Sequence, residues 1–464
     1  MKRIFALAAA MLILLSPVLM LAGPGKVTLP HYEGRTLDNG LEVFIMETHE
    51  VPLVTIRLLI PAGSARDAQG KEGIANLTAR LLMKGAAGLG ADEISEAVEG
   101  VGGRLDAYAS RDYTLVTGDF ISRDFIKALV LLGKVVMKPD FPDDELGLEK
   151  GIITAEIKRV KENPSSMATK EFLRALIGEH PYSHPVEGSE KSVTGITRVD
   201  VVDFYGVHYI PNGSILAVVG DVKWRKALKA VEKSLGDWQR KQGRSLDIEH
   251  LKMKRFPGRK VLVINKPDAT QSQIRIGNIA VERDTPDYFP LLVANNILGG
   301  GFTSRLVDEI RVNRGLSYGV RSLLYHFRRG GVFFVYTFTK NQTLRETIDV
   351  ALAELEGIKT EKVEKEELDK SKRYLLGLFP FDLETNGDLT SWLTELAFFG
   401  LGSDFIENYG DETGRVSPED VQRVAGSYFH TDDCMILLLT NYEGVKDQLD
   451  GLGKIEVVDI DDVQ

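Results

Sequence analysis

Hydrophobic and polar positions follow the same order in two separate parts of the chain. Residues 197–221 align with residues 417–441 at a constant offset of 220 positions. In each copy a polar residue precedes a helical pattern, which leads through aromatic residues and a turn into an apolar run, 215–219 or 435–439. Such signals predict a capped helix followed by a buried strand. The chain therefore carries an internal duplication.

The beginnings of the two halves also correspond, more loosely. Alternating hydrophobic positions predict two successive strands in each half, followed by a helix. The strands are 40–45 and 54–60 in the first half and 259–264 and 272–279 in the second, and the helices start at Gly73 and Tyr288. This order predicts an α+β fold of two tandem homologous domains, each a mainly antiparallel sheet with helices packed on one face.

A polar stretch separates the two halves. Residues 237–257 are rich in Lys, Arg, Gln and Gly, a composition typical of an exposed linker. We therefore place a first domain at residues 26–240, a linker at 241–257 and a second domain at 258–464. The length of 464 residues agrees with two domains of roughly 200 residues each.

Residues 1–23 have the pattern of a secretory signal peptide. Lys2 and Arg3 precede an apolar run, Ile4–Leu21, which is followed by the small residues Ala22 and Gly23. A serine and a proline near the end of the run favour cleavage. The alternative is an uncleaved membrane anchor, because the run is nearly long enough to span a bilayer. We expect export to a bacterial periplasm, with membrane contact only through an uncleaved signal.

Composition narrows the classes of partner and of chemistry. The net charge of −10 argues against nucleic acid, because phosphate binding needs clustered Lys and Arg. Cys434 is the single cysteine, so no internal disulfide can form. It opens the apolar run that ends at Leu439, which favours a buried, inert thiol over a nucleophile.

The segment Gly73–Gly85 resembles the pitrilysin, insulysin and mitochondrial processing peptidase family. Active members carry H-x-x-E-H in this segment: the two His bind zinc from one helix face and the Glu is the general base. Here those three positions are Asn76, Ala79 and Arg80. Asn is a poor zinc ligand, Ala has no basic group and Arg repels a cation. The resemblance therefore implies a degenerate zinc site, with no metal in this chain and no zinc peptidase activity alone.

Glu156 falls on the family's distant third zinc ligand. It either pairs with Arg80, filling the former metal site with a salt bridge, or both groups face solvent. A relocated metal site would need two nearby His, and only His180 and His184 have a spacing of four residues. The segment His180–Pro185 contains two prolines and is predicted to be a loop, as it is in the family, which argues against a metal site there.

A second segment, Gly102–Thr114, resembles the strand pair whose edge strand aligns the peptide substrate in active members. Asp106 stands where the family commonly has Asn, and Ser110 where it commonly has Thr, so the strand is expected to persist with different contacts. For each residue singly, a plain hairpin of the sheet explains the pattern equally well.

In the second half, Leu298–Leu306 and Ile310–Val320 resemble the family's C-terminal motif. The Arg and Tyr of that motif correspond to Arg311 and Tyr318 here. In active members the pair reaches the substrate beside the zinc. We expect a helix capped by Thr303 or Ser304, with Tyr318 opening the next strand. The alternative is purely structural: Arg311 as a favourable cation at a helix end and Tyr318 as a packed strand aromatic.

Three adjacent glycines, residues 299–301, precede this helix. No Lys follows at the spacing of a P-loop, so a phosphate site is not expected. We expect either a hinge or a close approach of a helix to a strand.

The resemblance covers residues 30–445 and supports one function over two others. The first hypothesis is a non-catalytic subunit of an exported heterodimeric zinc metallopeptidase. This chain would lend Arg311 and Tyr318 for binding the peptide substrate, and a family member with an intact H-x-x-E-H would carry the zinc. The alternative is a peptide-binding or scaffold protein with no role in proteolysis. A third hypothesis is an enzyme of different chemistry. The sequence shows no pairing of a nucleophile with a base that would support it.

Overall fold

A computed structural model describes residues 29–240 and 252–463 of the chain. The predicted signal peptide and most of the predicted linker lie outside these residues. Within them, no helix combines the length and apolar character needed to cross a membrane. Two six-stranded sheets organise the fold, one in each half.

The first sheet has the strand order β1-β2-β8-β3-β7-β6. All neighbouring strands are antiparallel except β2 and β8, which are parallel. In this half, β4 and β5 form a separate two-stranded pair. The strands of the first half are β1 Tyr32–Thr36, β2 Glu42–Glu47, β3 Leu53–Ile60, β4 Gly85–Ala86, β5 Leu89–Gly90, β6 Arg104–Ala109, β7 Thr114–Ile121 and β8 Ile215–Gly220.

Seven helices of the first half pack on one face of this sheet and enclose its core. Apolar residues of α1, α2, α3, α4, α6, α7 and α8 line that core together with alternate residues of the strands. The helices of this half are α1 Ile74–Leu81, α2 Ala91–Glu99, α3 Phe125–Met137, α4 Asp143–Glu162, α5 Pro164–Ile177, α6 Glu190–Gly195, α7 Arg198–His208 and α8 Trp224–Leu235.

The second sheet has the strand order β11-β12-β10-β13-β9-β14. β9 is parallel to both of its neighbours, β13 and β14, and the other pairs are antiparallel. The strands are β9 Lys260–Asn265, β10 Gln271–Ala280, β11 Val320–Phe327, β12 Gly330–Lys340, β13 Met435–Thr440 and β14 Lys454–Asp459. The predicted α+β fold of two mainly antiparallel sheets is thus confirmed.

The second half repeats the arrangement of the first. Its helices are α9 Tyr288–Asn295, α10 Leu344–Thr360, α11 Lys365–Leu378, α12 Asn386–Phe399, α13 Asp404–Glu407, α14 Tyr409–Arg415, α15 Pro418–Tyr428 and α16 Tyr442–Val445. The duplication extends to the helix caps: Thr197 bonds the backbone of Asp200 at the start of α7, and Ser417 bonds the backbone of Asp420 at the start of α15. In both, the aspartate side chain returns the bond, so four otherwise unpaired helix donors are satisfied.

The other face of each sheet is covered by a helix from the opposite half. α5 belongs to the first half but packs Phe172 and Leu173 against the second sheet, where they contact a cluster that includes Leu437. α12 belongs to the second half and packs Leu393 against the first sheet beside Ala217. The prediction that helices pack on one face of each sheet is therefore correct for the helices that cover the core of their own half. The exchange of α5 and α12 between the halves was not predicted.

An arginine in each sheet marks the exchange. Arg57 on β3 lies opposite Ala217 of β8, and its guanidinium donates to the Ser391 hydroxyl of α12. Arg275 on β10 lies opposite Leu437 of β13. It donates from Nε to Thr169 Oγ1 of α5 at 2.9 Å and from Nη2 to Ser165 O at 2.7 Å. The two arginines thus occupy equivalent positions and bind equivalent helices.

The start of the polar stretch 237–257, just before the predicted linker at 241–257, is anchored in the first half. Trp238 is 4% exposed, and its indole nitrogen donates to Tyr209 O at 3.2 Å. Asn39 donates from Nδ2 to Leu235 O at 2.8 Å beside it. The expectation of exposure is therefore wrong for Trp238. Its apolar indole stabilises the fold more by filling the end of the core than it would by facing water.

Replacing a core residue of an exchanged helix should destabilise the whole chain. Leu393→Ala removes a fully buried side chain from α12, so we expect the free energy of unfolding to fall by about 2–5 kcal/mol. Urea unfolding followed by circular dichroism and by tryptophan fluorescence measures this change. Because α12 covers the first sheet, both probes should report one transition.

Leu378→Ala on α11 is the control, since Leu378 is 43% exposed and its loss should cost less than about 1 kcal/mol. Two separate transitions in Leu393→Ala, with the first half unaffected, would contradict the exchange.

Candidate functional site

Helix α1 is held in place by a buried carboxylate just before it. Asp67 accepts hydrogen bonds from the backbone nitrogens of Gly73 at 2.7 Å and Ala75 at 3.1 Å, which satisfies two donors at the helix start. Burial raises the pKa of Asp67 well above its usual value, against the opposing effect of these bonds. Gly73 has a φ of 98°, which favours glycine. Gly73 opens the segment whose sequence resembles the family, whereas no motif in the sequence pointed to Asp67.

The three degenerate positions lie on α1 where the family motif predicts them. Asn76 is 6% exposed and Ala79 fully buried. Arg80 lies one turn after Asn76, on the same side of the helix. Its Nη2 lies 2.5 Å from Glu156 Oε2 on α4, so of the two predicted alternatives the salt bridge is correct.

A wider charge network surrounds this pair. Arg80 Nη1 lies 3.5 Å from Oε2 of Glu149, and Lys84 Nζ lies 3.0 Å from its Oε1. Glu149 is 4% exposed, and a carboxylate so buried is costly unless it is paired. Arg80, which stands at a ligand position of the family motif, and Lys84 thus both pair with carboxylates of α4.

The residues present do not fit zinc. Arg80 places a permanent cation between the helices, and Ala79 supplies neither a ligand nor a base. The buried Nδ2 of Asn76 has no hydrogen-bond partner among the described residues, and an amide nitrogen is a donor that cannot coordinate a cation. Across residues 29–240 and 252–463, no three His, Cys, Asp or Glu side chains are grouped to hold a metal.

His180 and His184 flank a short turn, Pro181–Ser183, as the predicted loop requires. His180 Nδ1 accepts from the backbone nitrogen of Tyr182 at 3.2 Å, and His184 Nδ1 lies 3.0 Å from Pro185 O. Burial lowers the pKa of His184. Both imidazoles thus form hydrogen bonds with backbone atoms of neighbouring residues.

The same turn joins the two halves. The buried Tyr182 hydroxyl donates to one carboxylate oxygen of Asp112, and the other oxygen accepts from the Arg328 backbone nitrogen of the second half at 3.0 Å. Burial raises the pKa of Asp112, and these hydrogen bonds oppose that rise. The sequence placed Asp112 and Tyr182 in separate motifs, and the structure makes them one contact.

Strand β6 forms an edge of the first sheet and pairs with β7 alone among the described strands. Ser110 Oγ donates to Tyr113 O at 3.0 Å and closes the hairpin. Asp106 accepts from Arg104 Nε. The hairpin is thus observed, and a peptide-aligning role for its edge stays a prediction.

In the second half, the helical turns around the Arg/Tyr motif are unusually wide. The backbone nitrogen of Gly301 donates to Asn296 O, and that of Arg314 donates to Glu309 O, five residues back in each case. These π-helical turns span Asn296–Gly300 and Val307–Asn313. Such turns are rare and often found at functional sites. The sequence predicted an ordinary helix here.

The cap predicted for that helix is wrong. Among the described residues, Ser304 Oγ is buried without a hydrogen-bond partner, and Thr303 makes no side-chain bond to the helix start. The helix still begins directly after Ser304, whose carbonyl oxygen accepts the ordinary first helical bond from the Asp308 nitrogen at 2.9 Å. Close packing explains one of the three glycines: a Cβ on Gly299 would lie 2.6 Å from the Ser322 nitrogen of β11, as the helix–strand approach predicts.

Arg311 lies between two exposed aromatic rings. Its guanidinium carbon is 5.3 Å from the ring centroid of Phe302 and 5.3 Å from that of Tyr318. Tyr318 is 81% exposed and precedes β11, so the alternative of a packed strand aromatic is wrong. Phe302 is 69% exposed and was missed, although a lone aromatic after three glycines was a signal in the sequence.

Arg311 makes no salt bridge or hydrogen bond within the described parts of the chain. Among the described residues its charge meets only the faces of the two rings, an interaction worth about 0.5–1 kcal/mol at exposed sites. The guanidinium donors therefore remain available to an incoming acceptor, and two apolar surfaces flank them.

Restoring the motif should restore zinc binding. In the variant N76H/A79E/R80H, two imidazoles would share one face of α1 opposite Glu156, which supplies the third ligand. We expect about one zinc per chain in the variant, measured by inductively coupled plasma mass spectrometry, and no stoichiometric zinc in the wild type. Variant N76H/A79E, which keeps Arg80, is the control and should stay metal-free. Stoichiometric zinc in the wild type would contradict the degenerate site.

Comparisons with known proteins agree with this geometry. Residues 42–190 match the family described as insulinase (peptidase family M16), and residues 195–375 match the peptidase M16 inactive domain. An uncharacterized zinc protease of Mycobacterium leprae is 28% identical over 379 residues, covering 82% of this chain and 83% of its own. A similarly named Bacillus subtilis protein, YmxG, is 26% identical, covering 87% of this chain and 97% of its own.

Solved structures show the same fold. A peptidase M16 inactive domain from Pseudomonas fluorescens superposes with a TM-score of 0.81 at 27% identity, covering 88% of this chain and 98% of that one. A protease from Helicobacter pylori gives 0.82 at 23% identity, covering 89% and 100%. With both halves matched and the H-x-x-E-H positions occupied by Asn76, Ala79 and Arg80, the chain belongs to the insulinase (M16) peptidase family as a member without the zinc-binding motif.

Proposed function

We propose that this chain is the non-catalytic subunit of a heterodimeric zinc metallopeptidase. A family member with an intact H-x-x-E-H supplies the zinc and the general base. This chain supplies Arg311 and Tyr318, which bind the peptide substrate beside that metal.

The unpaired Arg311 between Phe302 and Tyr318 carries the proposal. A half-buried cation with no carboxylate partner among the described residues, flanked by two exposed rings, adds little to the stability of the isolated chain. Its donors suit a peptide carbonyl oxygen, and a charged donor gains strength as that oxygen becomes negative in the transition state. The rings suit an apolar side chain of the same peptide.

The contrast with the first half adds support. There, Arg80 and Lys84 are committed to Glu149 and Glu156, so the former metal position is closed by charge pairs. In the second half, by contrast, the guanidinium of Arg311 has no ion-pair or hydrogen-bond partner among the described residues. Loss of one half of the machinery with retention of the other suits a subunit that completes an active site carried elsewhere.

Export is part of the proposal. The basic and apolar pattern of residues 1–23 and the single buried cysteine suit a secreted chain that folds without disulfides. Burial raises the pKa of the Cys434 thiol to about 11, which leaves it unreactive. A periplasmic location would place both subunits with peptide substrates outside the cytoplasm.

Mixing the subunits tests the proposal. We expect this chain to raise the rate at which an H-x-x-E-H family member from the same genome cleaves a fluorogenic peptide. Arg311→Ala and Tyr318→Ala should each lower kcat/KM of the mixture by about 10²-fold, the usual effect of losing one transition-state donor. Tyr318→Phe should separate the phenol hydroxyl from the ring.

Arg314→Ala is the matched control, because Arg314 lies in the same turn but is paired with Glu309 and Glu346. It should leave kcat/KM unchanged. If the mixture cleaves no faster than the H-x-x-E-H subunit alone, the chain is not such a subunit. If cleavage rises but Arg311→Ala and Tyr318→Ala do not reduce it, these two residues do not bind the substrate.

A further inference from the structure

A cavity of about 520 Å³ opens where the two halves meet, away from the residues discussed above as substrate contacts. Exchanged helix α5 forms one wall with Thr169 and Lys170, and the hairpin residue Arg111 forms another. The second sheet closes it with Arg275, Tyr325 and Tyr336. Cavities of this size bury small organic ligands.

Arg275 gives the floor of this cavity an unneutralised charge. Its side chain is fully buried, and all of its hydrogen bonds go to neutral oxygens, those of Ser165, Thr169, Ile274 and Thr337. None of its contacts is a carboxylate among the described residues. Burial lowers the pKa of Arg275 to about 10, which reflects the cost of keeping a cation there. An anion nearby would offset that cost.

Two more cations line the walls. Arg111 donates from Nε to Tyr182 O at 3.0 Å, and within the described ranges it forms no salt bridge. Its guanidinium lies 5.7 Å from the Phe327 ring centroid. Burial lowers the pKa of Arg111 and of Lys170. Glu187 is the one carboxylate among the described residues that line the cavity, and it is exposed, while Glu171 and Asp112 attract Lys170 and Arg111 from outside the lining. The lining itself therefore carries more positive than negative charge.

The cavity also offers two rings. Tyr336 lies 5.4 Å from the Arg275 guanidinium, and Tyr325 packs edge-on against Phe334. Neither phenol hydroxyl has a hydrogen-bond partner among the side chains and backbone that the structure describes. An apolar or flat group can rest on these rings while their hydroxyls bind its polar atoms.

We propose that this cavity binds a small organic anion, with its carboxylate or phosphate on Arg111 and Lys170 and its apolar part against Tyr325 and Tyr336. Guanidinium and ammonium donors form their strongest hydrogen bonds with such oxygens. Arg275 adds its field from beneath without giving up a structural bond. The site joins residues of both halves, so its ligand would also stabilise their contact. This proposal does not depend on the peptidase role.

Calorimetric titration of the full chain with three phenyl compounds tests it. Phenyl phosphate and phenylacetate carry the two anionic groups, and benzyl alcohol is their neutral counterpart. We expect saturable binding of at least one anion and none of the alcohol, and the tighter anion identifies the preferred group. Lys170→Gln and Arg111→Gln should each weaken binding about tenfold, the effect of losing one charge-assisted bond.

Lys158→Gln is the matched control, since Lys158 is exposed on α4 outside the cavity and should leave binding unchanged. Lys170→Arg keeps the charge and should retain most of the affinity, which separates loss of charge from loss of fold. Circular dichroism checks each variant, and if Arg111→Gln does not fold, the Lys170 pair decides. Absence of saturable binding by both anions, equal binding of the alcohol, or equal losses in Lys170→Gln and Lys158→Gln would overturn the proposal.

Discussion

Each sheet of this protein has two apolar faces, and neither half can cover both of its own. The core helices of a half enclose one face, and the other face needs a helix from the opposite half. α5 and α12 meet this need reciprocally, so the exposed apolar area of one half is removed only when the other half is folded. Arg57 and Arg275 stand at equivalent positions and bind these helices, which fixes the register of the exchange.

That exchange sets what the chain can do. It fixes the two halves relative to each other, with the contact of Asp112, Tyr182 and Arg328 as a second link. The degenerate site on α1 is stabilised by charge pairing. Burying the Glu149 carboxylate alone would cost free energy, and Arg80 and Lys84 offset that cost by pairing with it. Such a network closes the former metal position. The free donors of the second half remain, and the functional proposal rests on them.

Much of this was predictable because the duplication and the family motifs are local patterns. Strand positions, the capped helices before β8 and β13, and the buried Cys434 followed from hydrophobic order in the sequence. The motif placed Arg80 and Glu156 in the same site, but spacing alone left open whether they pair or face water. The exchange of α5 and α12 could not be predicted, since an amphipathic helix does not specify which sheet it covers.

Other features depend on backbone geometry that side-chain patterns do not encode. π-helical turns occupy residues 296–300 and 307–313 where the pattern predicted an ordinary helix, and the side-chain cap expected from Thr303 or Ser304 is absent among the described residues. Phe302 also contacts Arg311 nine positions later, which an ordinary helix pattern did not suggest. Native mass spectrometry of the complex with an H-x-x-E-H family member tests the central claim most directly. The account predicts a one-to-one heterodimer holding one zinc, all of it in the other subunit, whereas zinc bound to this chain, or no complex at all, would contradict it.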